Sequence, residues 1–329
     1  MPEQIKQKIM DRTPDIGTKL ALGMVSKEFQ VHMDKSPTNY YGATICFYGG
    51  YIVVTLSAIF KKPDDFDWKI NNNMKFSAHN DRVVMENTIS NWKKVIPEEE
   101  DYRKAAVRYA LGIIGRKTIT IDHLCLEIGH FGYSEEHWKE DKEVIINEIE
   151  RGLNGLKRQL VVKAVHFGVQ VNDLEIMQIL PYLKPGTLTY CHFKSTKSAE
   201  PLNLTLISET EQWKCAKKLS VSHYHCRVPF EKLRHFEDVY IDEMKETSVS
   251  AKTALEMFVN NPTMQSVAIV SRVNQTGVAE YLEQFGVQDF QNCDVVISKD
   301  SEPETDVKAR FWTSGIQFNR HPRNSNEAE

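Results

Sequence analysis

The chain is short of the signatures that mark the common enzyme classes. Its 329 residues contain no G-x-x-x-x-G-K-[ST] loop, no G-x-G-x-x-G turn, no H-E-x-x-H helix and no G-x-S-x-G elbow. No catalytic residue and no cofactor is therefore expected. The six cysteines, Cys46, Cys125, Cys191, Cys215, Cys226 and Cys293, include no C-x-x-C pair. That scatter suits reduced thiols and a cytoplasmic and/or nuclear location. Charge of one sign is also missing: 41 Lys+Arg face 45 Asp+Glu, for a net charge of −4. No electrostatic case exists for a nucleic-acid partner. The N-terminus has no apolar h-region, so no secretory signal is expected. Long hydrophobic runs are scarce as well. The one to weigh as a membrane span is Ala43 to Phe60, ATICFYGGYIVVTLSAIF. Gly49-Gly50 divides it, and both flanks are β-branched and aromatic. It reads as two buried strands, Thr44 to Tyr48 and Ile52 to Leu56, and no membrane partner is expected.

What the chain does have is an alternation of strand and helix patterns. Phe66, Trp68 and Ile70 alternate like a short strand. Ile96 to Lys117 reads as a helix, with Pro97 and three glutamates at its start and Gly115 at its end. Its buried stripe is Tyr102, Ala106, Tyr109 and Ile113. Further helices are expected at Glu135 to Leu156, Asp173 to Leu183, Ser208 to Cys215 and Val249 to Asn260. Asn172 or Asp173 would cap the second of these.

Between the helices an apolar-x-x-apolar-x-apolar pattern recurs. It occurs at Ile121-Leu124-Leu126, Val162-Val165-Phe167, Leu188-Cys191-Phe193, Ala216-Leu219-Val221, Phe236-Val239-Ile241, Met264-Val267-Ile269 and Phe290-Cys293-Val295. The last two positions of each copy share a strand face. Strand and helix alternating in this way suggest an irregular leucine-rich-repeat-like solenoid, in which stacking supplies the core that one unit cannot. No asparagine or cysteine recurs where such repeats place a backbone ladder. A plain α/β sheet is therefore the competing expectation. Ser301 to Glu329 is acidic and hydrophilic and reads as a weakly ordered tail, within which Arg310 to Phe318 could add a strand. Lys217 and Lys218 read as a solvated strand edge.

One constellation could bind metal: His223-Tyr224-His225-Cys226, with Cys215 nearby. It lacks the second separated ligand pair of a structural zinc site, so no metal site is expected there or elsewhere.

Met1 to Lys35 reads as two short amphipathic helices. Ile5 and Ile9 share a face, Pro14 forces a break, and Leu22, Val25 and Phe29 recur at i, i+3 and i+7. Such a pair cannot bury its own apolar surface and must dock on something. On Pro2, Ile5, Ile9, Leu20, Leu22, Val25, Ser26, Lys27 and Phe29 the stretch resembles an F-box. Without that resemblance it reads as a helical hairpin capping the next domain. Further on, LEIMQILPYLKPGTL, EQWKCAKKLSV and PFEKLRHFEDVYI resemble successive signatures of the FTH domain. That domain follows the F-box in a family expanded in nematodes.

The resemblance implies an α/β chain of four parts. These are an F-box over 1–38, linking strands and a helix over 39–117, an FTH/leucine-rich-repeat-like substrate-binding domain over 118–300, and the tail over 301–329. It also implies the substrate-recruiting subunit of a Skp–cullin–F-box ubiquitin ligase, non-catalytic itself. Pro2, Ile5, Ile9, Leu20, Leu22, Val25 and Phe29 would bind the Skp-family linker protein and, through it, a cullin. The alternative is an interaction module of the same fold that has lost its coupling to the ligase. In a leucine-rich-type strand the residue between the last two apolar positions faces a partner. That row is Cys125, His166, His192, Ser220, Tyr240, Ala268 and Asp294, and the next adds Glu127, Lys194, Ser222 and Asp242. From these, His166, His192, Lys194, Ser222, Tyr240 and Asp242 are the expected contacts with an unknown protein target.

Overall fold

The uncharged run Ala43 to Phe60 folds back on itself at Gly49-Gly50. The computed structural model describes residues 38–61, 67–80, 82–89, 91–96, 101–117, 119–128, 135–168, 172–194, 202–222, 226–242, 251–270, 278–283, 294–298, 305–312 and 315–322. The F-box-like stretch, Met1 to Lys35, lies outside these, and so do His223 and His225. Strands β1 (Thr38–Tyr48) and β2 (Tyr51–Lys61) pair antiparallel, with Tyr48 opposite Tyr51. Gly50 closes the turn at φ 80°, a left-handed conformation that costs glycine little. Among the described residues no helix is long and apolar enough to cross a membrane.

The chain divides into two compact units, Met1–Leu188 and Thr189–Glu329. Both are mixed α/β, with much sheet and few helices. In the first, β3 (Asp67–His79), β4 (Arg82–Asn87) and β5 (Trp92–Ile96) continue the hairpin as an antiparallel meander. Helix α1 (Tyr102–Ile114), β6 (Ile119–Ile128), α2 (Glu135–Asn154) and β7 (Val161–Gly168) follow. The strand order is β7-β6-β1-β2-β3-β4-β5, with β1, β6 and β7 parallel. Helix α3 (Asp173–Met177) and a 3-10 turn (Leu180–Tyr182) end this unit.

Several sequence boundaries need correction here. Ile96 belongs to β5, and α1 begins only at Tyr102, where Asp101 caps it by accepting from the Arg103 N–H at 2.8 Å. The Phe66–Ile70 alternation underestimates β3, and β4 and β5 gave no clear signal. The segment Asp173 to Leu183 is two short turns of helix. Its start follows expectation: Asn172 and Glu175 form a reciprocal capping box.

Helix α1 meets α2 through glycine. An added Cβ on Gly152 would lie 2.3 Å from Leu111 Cδ1, and one on Gly115 would lie 2.5 Å from Leu156 Cδ2 and 2.6 Å from the Leu111 carbonyl oxygen. Gly115 has φ −74°, so it is needed for room, not for a left-handed turn. Arg103 pairs with Asp141, and Arg108 with Glu148 at 3.4 Å, across the same seam. Gly115→Ala should therefore destabilise the protein by about 1 to 3 kcal/mol through overpacking. Gly112→Ala, on the same helix with nothing within 4 Å of the new methyl, should stabilise by up to about 1 kcal/mol. Two urea-unfolding midpoints check the pair, and equal signs would remove the seam from the account.

The second unit runs β8 (Tyr190–Lys194), β9 (Leu202–Asn203), α4 (Leu204–Ile207), α5 (Glu211–Cys215), β10 (Lys218–Ser222), β11 (Cys226–Arg227) and a 3-10 turn (Phe230–Lys232). Then come β12 (Asp238–Asp242), α6 (Ala251–Val259), β13 (Ser266–Val270), α7 (Val278–Glu283), β14 (Asp294–Ser298), β15 (Thr305–Trp312) and β16 (Gly315–Pro322). The order is β14-β15-β16-β13-β12-β10-β8, and β8, β10, β12 and β13 are parallel. The helix expected at Ser208 to Cys215 is instead α4 and α5, broken at Ser208–Thr210. Thr210 caps α5, its Oγ1 accepting from the Trp213 N–H at 3.2 Å.

The three-residue step inside the repeat has a backbone cause. The Thr189 carbonyl accepts from both the Lys217 and Lys218 N–H groups, at 2.8 and 2.9 Å. The Lys217 carbonyl does the same for Glu237 and Asp238, and the Glu237 carbonyl for Gln265 and Ser266. Two successive residues thus oppose one on the neighbouring strand, as in a bulge. This shifts the alternation by one residue and lets apolar-x-x-apolar point inward twice. In the first unit the ladder skips Tyr41, Asp122 and Lys163 at the equivalent place.

The seventh copy departs from the others. Its strand β14 pairs antiparallel with β15. The expected weakly ordered tail is in part sheet: β15 and β16 occupy 305–312 and 315–322. Val307, Ala309, Phe311, Ile316 and Phe318 are all buried, so the alternation inside this polar segment carries the structure. Arg320 secures it by donating to the Phe258, Asn261 and Met264 carbonyls at 2.9, 3.0 and 2.9 Å. A cation is favoured at the C-terminal end of α6, where carbonyls lack helical partners.

Candidate functional site

Each parallel strand of the second unit buries one side, and its other side is more open, except at Ser220, which is buried as well. In the second unit Cys191, Leu219, Val239 and Val267 stand in register on the core side, and so do Phe193, Val221, Ile241 and Ile269. Full burial pushes the Cys191 thiol pKa up to about 12, so it packs as a small apolar group. The residues between them form the other face.

On that face His192, Ser220, Tyr240 and Ala268 make one register row, and Lys194, Ser222, Asp242 and Val270 the next. The expected contacts His192, Lys194, Ser222, Tyr240 and Asp242 are therefore brought together. Tyr240 is 40% exposed, and its hydroxyl donates to Asp242 Oδ2 at 3.3 Å. Burial and the Asp242 charge raise the Tyr240 pKa, so the phenol stays neutral. Asp294 is displaced. Its row runs Ala268, Gln317, Arg310, Asp294, because β16 and β15 come between β13 and β14. His166 lies in the first unit on β7, in register with Cys125.

At the amino ends of the same strands Tyr190, Lys218, Asp238 and Ser266 align. Lys218 and Asp238 pair at 2.7 Å, and Ser266 Oγ donates to Asp238 at 2.7 Å. Burial works to raise the Asp238 pKa, but the bonds from Lys218 and Ser266 hold the carboxyl below its ordinary range. Lys217 pairs with Glu237 at 2.7 Å. The expectation of a strand edge here is wrong, since β10 is paired on both sides; Lys218 lies on its outward face, and Lys217 precedes the strand. The face as a whole is an aromatic and polar surface on rigid strands, with no charge of one sign.

Comparison with known families bears on this region. Residues 136–286 match the FTH domain. The match opens one residue into α2 and closes after α7, so it takes in β7, β8, β10, β12 and β13 and therefore His166, His192, Lys194, Ser222, Tyr240 and Asp242. No curated protein and no solved structure matches the chain. The FTH domain leaves out β1 to β6 and the terminal strands β14 to β16.

One grouping was only partly legible in the sequence, where the repeat set Cys125 and His166 in one row and Glu127 in the next without showing that their side chains converge. Cys125 and Glu127 on β6 and His166 on β7 place a sulfur, a carboxylate oxygen and a ring nitrogen within 4.8 Å of one another. They are separated by some forty residues, and only the parallel register joins them. The His223-x-His225 candidate lies outside the described residues. Of its other members, Cys215 is exposed and Cys226 half-buried.

Proposed function

We propose that this protein is a substrate adaptor of a Skp–cullin–F-box ubiquitin ligase. The carrying observation is the FTH domain at 136–286, a domain of an F-box-associated family. The F-box-like order of Pro2, Ile5, Ile9, Leu20, Leu22, Val25 and Phe29 ahead of it supports the same reading. In this role the chain performs no chemistry of its own. Its F-box-like N-terminal stretch holds the linker protein and, through it, the cullin, and its strand face presents a target to subunits that transfer ubiquitin. The irregular solenoid expected from the repeat is the corresponding architecture of the binding part. A cytoplasmic and/or nuclear location accompanies this role.

Tyr240 is the anchor assigned to the target. Tyrosine is enriched among residues that dominate interfaces, and this one stands on a rigid strand amid polar neighbours. Tyr240→Ala should weaken target binding by about 1 to 2 kcal/mol with a much smaller change in melting. The measurement is titration of the target recovered by affinity purification, beside thermal unfolding of both forms. Unchanged affinity would move the target off this face. Affinity purification of the intact chain, with identification of what it brings down, tests the assignment itself. Recovery of linker and cullin supports it, and their absence beside a retained target favours the uncoupled module.

A further inference from the structure

The outward face of the first unit carries a second arrangement. Thr44, Cys125 and His166 are register partners on β1, β6 and β7, and two residues on Cys46, Glu127 and Gly168 are partners. Cys125 and His166 thus stand side by side, with Glu127 next along the same face. The Cys46 thiol donates to Glu127 Oε2 at 3.3 Å. Gly168 keeps the space between them open: an added Cβ would lie 3.1 Å from Glu127 Cγ and 3.2 Å from His166 Nε2. All three donors are half-buried. They sit at the carboxyl ends of parallel strands, where open α/β sheets bind ligands.

We propose that Cys125, Glu127 and His166 form a zinc site. Sulfur and imidazole donors exclude calcium and magnesium, which take oxygen, and a mixed thiolate, imidazole and carboxylate set suits zinc. Zinc bonds of about 2.0 to 2.3 Å require donors roughly 3.5 Å apart. The present separation of up to 4.8 Å closes by side-chain adjustment alone, since the backbone register already aligns the three. Cys125 loses its thiol proton to solvent as the Zn–S bond forms, while Glu127 binds as a carboxylate and His166 through a neutral ring nitrogen. The thiolate and carboxylate then balance the metal charge. Cys46 acts as an outer partner that orients Glu127. Three protein donors leave the fourth tetrahedral position to water or to an incoming donor.

The test uses the full chain, stripped with chelator and titrated with zinc and separately with cobalt. One equivalent of zinc should bind, and cobalt should give the near-ultraviolet band of a thiolate-to-cobalt bond. Cys125→Ser should abolish the band and weaken zinc binding at least tenfold. His166→Ala should weaken zinc as much but keep the band at saturating cobalt, and Cys215→Ser should change neither. No stoichiometric zinc, or binding indifferent to Cys125→Ser, overturns the site. Where a variant does not fold, alkylation of the unaltered chain decides. Zinc should slow iodoacetamide at Cys125 at least tenfold and leave Cys215 unchanged, and equal rates at Cys125 with and without zinc overturn the proposal.

Discussion

Trp213→Ala should be the most damaging single truncation in the second unit, costing about 3 to 5 kcal/mol. Trp213 lies in the short helix α5 and is 1% exposed. Its ring meets Phe236 edge-on at 5.0 Å and Phe193 at 6.5 Å, so it packs against β8 and the residues that lead into β12. Aromatic pairs in this geometry add to the area they bury. Its indole N–H donates to the Lys232 carbonyl at 3.2 Å, and His235 Nε2 donates to the Trp213 carbonyl at 2.8 Å. Alanine would leave a large cavity and would also strip the Lys232 carbonyl of its buried donor, a further cost of about 1 kcal/mol. A helix of five residues has little stability of its own and would not hold its place without that anchor. In thermal unfolding the loss should appear as a fall of roughly 10 to 20 °C. Trp92→Ala is the control. Trp92 is 44% exposed on strand β5, and its removal should cost less than about 1 kcal/mol. Equal losses for the two tryptophans would mean that Trp213 is not the centre of this core.

Much of the core was legible because burial leaves periodicity behind. All three positions of each of the first six copies are buried, including Leu188, Ala216, Phe236 and Met264, which precede their strands. The capping box at Asn172 and Glu175 and the turn at Gly49-Gly50 were also readable, since each rests on a local chemical rule. Register and pairing partner were not. Nothing local tells β14 to pair antiparallel with β15, or tells β16 to sit between β15 and β13. The polar stretch around Val307 to Phe311 conceals alternation under a charged composition, and Arg320 finds its carbonyls at and just beyond the end of a helix some sixty residues earlier. Gly115 is the helix stop it looked like, but its second role as a contact point was hidden, because the neighbour that needs its space, Leu156, lies some forty residues on. The candidate sites divide in the same way. Tyr240 could be placed outward from strand parity alone. The repeat spacing set Cys125 beside His166 and Glu127 in the next row, but the convergence of their donor atoms depends on side-chain placement that spacing does not encode.

Leu22→Asp should abolish recovery of the linker protein and cullin while the FTH domain still melts and still binds its target. Leu20, Leu22, Val25 and Phe29 are four apolar residues within ten positions, spaced in the sequence as on one helical face, which a pair of short helices could not bury by itself. If a linker covers them, they are the core of an interface. Aspartate at position 22 would then lose its water on binding with no partner to replace it, at a cost of several kcal/mol. That is enough to lower the association constant by more than a hundredfold. Unbound, the same carboxylate stays hydrated, so the melting temperature should move little. A capping hairpin predicts the reverse. Leu22 would then pack on its own chain, Leu22→Asp would lower the melting temperature by the several degrees expected of a buried charge, and the unaltered protein would bring down no linker. Trp213→Ala supplies the complementary case, since it should destabilise the second unit and leave linker recovery intact. Reading melting, linker recovery and target recovery for all three forms separates an adaptor from an uncoupled binding module. The adaptor fails if linker recovery survives Leu22→Asp or is absent from the unaltered chain.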